Sequence, residues 1–190
     1  MKIKKKYYGT TSQGEKVTLY TLTNSNGISL EIINYGGIIT KLFFPDNKGV
    51  LGNIVLGYDN LKYYEDNQPF FGAIIGRYAN RIKDGSFKID KVKFNIDKNN
   101  GNNHLHGGFS GFHKKVWTAR SIKRKDSLSL ILNLLSKDLE GGFPGNLETT
   151  VHYTLNNDNE LEIKYFAKTD KKTIVNFTNH SYFNLGSSLN

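Results

Sequence analysis

The chain has 190 residues and carries 26 Lys and Arg against 17 Asp and Glu, a formal net charge of +9. It has no cysteine, which excludes a disulfide scaffold and any thiolate metal site. Its aromatic content of 13% is too high for a disordered basic tail, and its length suits one domain with a sizeable core.

The opening MKIKKKYYGTTSQGEK is charged but has no apolar stretch behind it, so no signal peptide is read and a cytoplasmic protein is expected. Lys2, Lys4, Lys5 and Lys6 form the densest basic cluster; the remaining Lys are scattered through an Asn- and Ile-rich chain. That is a compositional bias rather than a nucleic-acid patch, and no apolar run is long enough to span a bilayer, so neither nucleic acid nor membrane is an expected partner. Strand-like runs follow in order: Lys16 to Thr23, Ile28 to Asn34 and Ile38 to Phe44, separated by Asn24-Ser25-Asn26-Gly27 and Gly36-Gly37. A helical turn fits only Asn60 to Glu65. Ser86 to Asp90 and Val92 to Ile96 read as a hairpin. Val116 to Arg124, Ser127 to Leu135, Leu147 to Leu155, Leu161 to Thr169 and Lys172 to Phe177 continue the pattern. About ten strands with hairpin-length links predict an all-β fold, with antiparallel sheets packed as a sandwich or barrel.

Two Gly- and Asn-rich stretches interrupt the strands, Asp66 to Ser86 and Asp97 to Lys115, and such connections are where a rigid scaffold carries function. In the second, His104 and His106 are two apart, and in extended chain they project to one side. That spacing offers either a metal pair or one site histidine beside one loop-supporting histidine. His180 follows a strand-like run, with Asn179, Ser181 and Tyr182 around it to fix its tautomer or meet hydroxyl-rich ligands; a half-buried structural histidine is the alternative. Arg77 and Arg81 flank Asn80 and suit carboxylate, phosphate or sugar hydroxyls, or else surface pairing with Asp84 or Asp90. The seven Glu (Glu15, Glu31, Glu65, Glu140, Glu148, Glu160 and Glu162) include no spaced acid pair of the glycosidase kind, although Glu140 stands on a glycine-rich loop placed to overhang a cleft. No nucleophile elbow, phosphate loop or dinucleotide fingerprint occurs.

Five segments taken together resemble the aldose 1-epimerase (galactose mutarotase) family: Asn34-Tyr35-Gly36-Gly37; Gly76-Arg77-Tyr78-Ala79-Asn80-Arg81-Ile82; Asn103-His104-Leu105-His106-Gly107-Gly108 with Gly111-Phe112 and Trp117; Glu140 to Leu147; and Asn176 to Leu185. They occur in family order across nearly the whole chain. The resemblance implies a large twisted antiparallel β-sandwich and interconversion of the α and β anomers of free hexoses, galactose or glucose, without cofactor or metal. It implies His180 as the acid that protonates the ring oxygen and His106 as the second site histidine. Asn80 and Arg81 would bind sugar hydroxyls, with Tyr182 or Phe70 as the aromatic face. The family's general base is a Glu near its C-terminus, and none of the seven Glu here stands in that context. The expectation is therefore a single domain, 1–190, that matches the N-terminal half of a member. It would be a piece of a longer product, a truncated remnant, or a chain completed by a second polypeptide. The alternatives are a non-catalytic carbohydrate-binding module, a hexose-6-phosphate 1-epimerase needing extra basic residues, and a metal-dependent enzyme using His104 and His106.

Overall fold

A computed structural model describes residues 1–66 and 69–186; residues 67–68, within the Asp66–Ser86 stretch, and 187–190 lie outside the described residues. The strands are β1 (Lys2–Thr10), β2 (Lys16–Thr23), β3 (Ser29–Ile33), β4 (Ile38–Pro45) and β5 (Leu51–Asn53), then helix α1 (Leu61–Glu65) and the two-residue strands β6 (Ile74–Ile75) and β7 (Arg81–Ile82). After them come the hairpin β8 (Ser86–Ile89) and β9 (Val92–Asn95), β10 (His104–Leu105), β11 (Thr118–Lys123), β12 (Ser127–Ser136), β13 (Leu147–Asn156), β14 (Leu161–Thr169) and β15 (Thr178–Asn179). Two antiparallel meanders dominate, β1-β2-β3-β4-β5 and β11-β12-β13-β14.

The sheets meet because their strands alternate. Along β13, Leu147, Thr149, Val151, Tyr153 and Leu155 are buried and the residues between them are not. With Leu128, Leu130 and Leu132 of β12 they pack against Tyr20, Leu22, Leu30, Ile32, Ile39 and Leu42 of the first sheet, closing one core with Phe112 and Trp117. Ile33 and Ile38 face the other way, into a second cluster with Leu61, Tyr64, Ala73, Ile75 and Ala79. The first sheet is thus covered on both faces near its Asn34–Gly37 turn.

The hairpin turns are clipped together. Asn24 Oδ1 accepts from the backbone N–H of Asn26 and Ile28, both at 3.0 Å. Its Nδ2 donates to Asn156 O and Asn159 Oδ1 in the β13–β14 turn, both at 2.9 Å.

The structure adds one strand and corrects one expectation. The lysine-rich start, to which the sequence assigned no element, is a strand, β1, paired with β2 at the sheet edge; its lysines face solvent. The run Lys172 to Phe177 is not a strand. Asn176 makes only an isolated parallel bridge to Tyr78, and regular pairing begins at Thr178 against Ile75. Among the described residues, no helix is long and apolar enough to cross a membrane.

Candidate active site

The C-terminal segment zips onto the Gly72–Asn80 segment through backbone bonds. Asn176 N–H donates to Arg77 O at 2.9 Å, and Ala79 N–H to Asn176 O at 2.8 Å. His180 N–H donates to Ala73 O at 2.9 Å, and Gly72 N–H to His180 O at 3.1 Å. This fixes His180 at the mouth of a cleft of about 410 Å³ lined by Ala79, Asn80, His106, Thr178, Asn179, His180, Ser181 and Tyr182.

His106 reaches the same cleft from the opposite loop. Its backbone N–H donates to Asn80 O at 3.2 Å, and Asn80 N–H donates to His106 Nδ1 at 2.9 Å. Because Nδ1 is an acceptor here, the neutral ring carries its proton on Nε2. Gly107 makes this approach feasible: its φ is +87°, and a Cβ there would fall 1.8 Å from Gly76 O. The rings of His106 and His180 lie 5.2 Å apart, nearly perpendicular, and His180 sits 5.2 Å from Tyr182. Burial, then His180, Arg81 and His104, push the His106 imidazole down to about 4.

The backbone is strained where these groups meet. Phe70, Asn80 and His106 adopt positive φ (59°, 66° and 52°), a region that bulky residues seldom occupy. Phe70 does not line the cleft. Its ring lies behind it, 5.0 Å from His106, 4.9 Å from His113 and 5.7 Å from His180.

The predicted residues therefore divide. His106, His180, Asn80 and Tyr182 converge on the cleft. Arg81 is exposed beside it, its Nε donating to Asn100 Oδ1 at 3.0 Å. Arg77 is neither a ligand-binding group nor a surface ion-pair partner. It is 2% exposed and donates to Ser136 Oγ, Ser136 O, Lys137 O and Pro144 O at 2.9, 2.9, 2.7 and 3.1 Å. Glu140 does not overhang the cleft; it is bound by Ser136 Oγ and Lys115 Nζ next to Arg77. His104 and His106 do not form a metal pair. His104 is fully buried with Nδ1 against Asp97 O at 2.9 Å, and no group of three potential ligands occurs among the described residues. Asn179 does not set the His180 tautomer: its Nδ2 donates to Gly72 O and its Oδ1 accepts from Ser181 N–H.

Sequence reasoning missed His113, which is buried behind Phe70. Burial, then Lys114, His106 and His180, push it down to about 3. Neither spacing nor glycine flanks marked it; only the folded contact does. Among the described residues, none lining the cleft is acidic.

The arrangement offers two imidazoles of different character, one fixed in tautomer and held neutral, in a cleft rich in amide and hydroxyl groups. A family model described as aldose 1-epimerase matches residues 18–190. Galactose mutarotase from Bos taurus is 44% identical over 161 residues, 85% of this chain and 46% of that protein. Aldose 1-epimerase from Escherichia coli (strain K12) is 38% identical over 172 residues, 90% of this chain and 49% of that one. The crystal structure of galactose 1-epimerase from Lactobacillus acidophilus NCFM superposes with a TM-score of 0.87 at 31% identity, covering 97% of this chain and 54% of that one. The chain thus spans about half the length of the curated relatives it matches. On the extent of the family match, with a superposition that includes both sheets, the chain belongs to the aldose 1-epimerase family.

Proposed function

We propose that this chain supplies the histidine side of a hexose mutarotase site. The observation that carries this reading is the pairing of His106 and His180 on one cleft, 5.2 Å apart, with Asn80 holding His106 in the Nε2–H tautomer. Mutarotation breaks the C1–O5 bond of a pyranose. A base takes the O1 proton, C1=O1 forms, and an acid delivers a proton to O5. Rotation about C1–C2 and reclosure give the other anomer. His180 is assigned as the acid at O5. His106, through Nε2–H, donates a hydrogen bond to a sugar oxygen at the same edge. Asn80 and Arg81 hold hydroxyls, and Tyr182 offers an aromatic face.

The base is assigned to the part of the family's length that this chain does not span, because every residue lining the cleft is non-acidic. The reaction is assigned to the cytoplasm as part of the same reading.

The test is polarimetric decay of freshly dissolved α-D-galactose and α-D-glucose. It compares this chain, a chain carrying the rest of the family's length, and a His180→Gln form of each. Acceleration in the long chain that His180→Gln removes supports the proposal. A long chain that binds hexose without acceleration overturns it in favour of a binding protein. Acceleration by the 190-residue chain alone overturns the assignment of the base.

A further inference from the structure

We propose that Phe70 is a positioning residue of this site: its ring gathers His106, His113 and His180, sets the angles between them, and shields from water the side of the first two that it covers. The inference rests on the reading of His106 and His180 as the reacting pair.

One ring touches three imidazoles. Those of His106 and His113 meet it edge-on, at 74° and 76°, and that of His180 is tilted at 36°. Edge-to-face contact is the geometry that an aromatic quadrupole favours, so the contacts are directional as well as apolar. The backbone of Phe70 is held at φ 59°, a conformation that a residue of this kind seldom adopts, so its surroundings hold it there. The ring is half-buried, packs against the second hydrophobic cluster, and is absent from the cleft lining. This placement suits a wedge better than a platform for sugar.

The wedge has an electrostatic consequence. His106 faces His180, Arg81 and His104; His113 faces Lys114, His106 and His180. None of these neighbours is a carboxylate, so each opposes a second positive charge. Apolar packing from Phe70 adds a desolvation cost of the same sign. Two of the three imidazoles are thereby kept neutral beside the third, and they do not compete with His180 as acid.

The experiment is an NMR titration of histidine ring signals in this chain, which needs no sugar turnover and so stands or falls separately from the mutarotase reading. In wild type, ring-to-ring NOEs should link Phe70 to all three histidines, and His106 should titrate near 4. In Phe70→Leu, the His106 and His113 midpoints should rise by about one pH unit or more, a roughly tenfold gain in proton affinity. Phe109→Leu, at a surface position 61% exposed, should move neither. A folded Phe70→Leu with unchanged midpoints overturns the proposal, as does a variant that loses galactose affinity with both midpoints intact. Should Phe70→Leu not fold, the wild-type data decide: absent NOEs, or a His106 midpoint at the ordinary 6.5, overturn it directly.

Discussion

The polar knot around Arg77 and the imidazole cluster around Phe70 are built from neighbouring stretches of chain and obey opposite rules. At the knot, a buried guanidinium meets three carbonyls and a hydroxyl, and Ser136 passes the contact on to Glu140 and Lys115. Burial pushes the Arg77 charge down, while Glu140, Asp138 and Asp170 push it back up. At the cluster, titratable rings are packed on an aromatic face with little compensation, and His113 Nδ1 has no partner among the described residues. A satisfied network makes a scaffold rigid; an under-satisfied one holds groups away from their ordinary protonation state. Both are motif segments, yet one satisfies its buried charge and the other leaves its titratable rings uncompensated.

The comparison is broken most directly at the knot. Arg77→Met removes four hydrogen bonds and deprives the buried carbonyls of Ser136 and Pro144 of this donor. The expected loss is about 3–5 kcal/mol, read from the urea midpoint. A loss under about 1 kcal/mol would mean the knot is not a support. His180→Gln should do the reverse. In a chain carrying the rest of the family's length, kcat should fall roughly 10²–10⁴-fold with little change in stability, because the ring is only partly buried and its backbone bonds remain.

The acid limb of stability sharpens the comparison further. The folded-state pKa of His113 is depressed to about 3 and that of His106 to about 4, against an ordinary 6.5. Between those values the unfolded chain binds more protons, so the stabilisation is fully present above pH 6.5. It is lost as pH falls through 6.5 toward 4 and then 3. For the buried His113 the slope is on the order of 1 kcal/mol per pH unit. His113→Leu should flatten urea midpoints measured from pH 7 to pH 4. An unchanged slope would show that the ring is hydrated in the native state.

How much of this was legible in the sequence depends on how local each signal is. Leu147 to Leu155 alternates cleanly and reads as a strand, since a half-buried strand writes its period into four or five residues. Lys2–Thr10 escaped because, at an edge with its lysines in water, it carries no alternation. Lys172 to Phe177 misled for the opposite reason: β-branched residues there lie in extended chain that pairs at one point only. His106, His180 and Asn80, which the fold brings to one cleft, stand out in the sequence because glycines and amides flag the loops that hold them. Arg77 shares such a loop, and type and spacing do not reveal that its guanidinium turns inward. The contact of Phe70 with three histidines joins segments far apart in sequence, and no local pattern encodes it.

The smallest effect tests whether the two regions are separable at all. Tyr153 in β13 is fully buried; its hydroxyl donates to Gly37 O at 2.7 Å and accepts from Asn179 Nδ2 at 3.3 Å. It therefore links the second sheet to Gly37, at the turn between β3 and β4, and to Asn179, the residue beside His180. In Tyr153→Phe, Gly37 O loses its short bond, at a cost of about 1 kcal/mol. Asn179 keeps its better bond to Gly72 O at 2.9 Å, and the backbone pairing of His180 with Ala73 and Gly72 is untouched. Stability should drop by that amount while kcat of the longer chain stays within about threefold. A larger fall in kcat at modest cost in stability would mean that the sheets set the position of His180 through Tyr153, and that scaffold and site are one network.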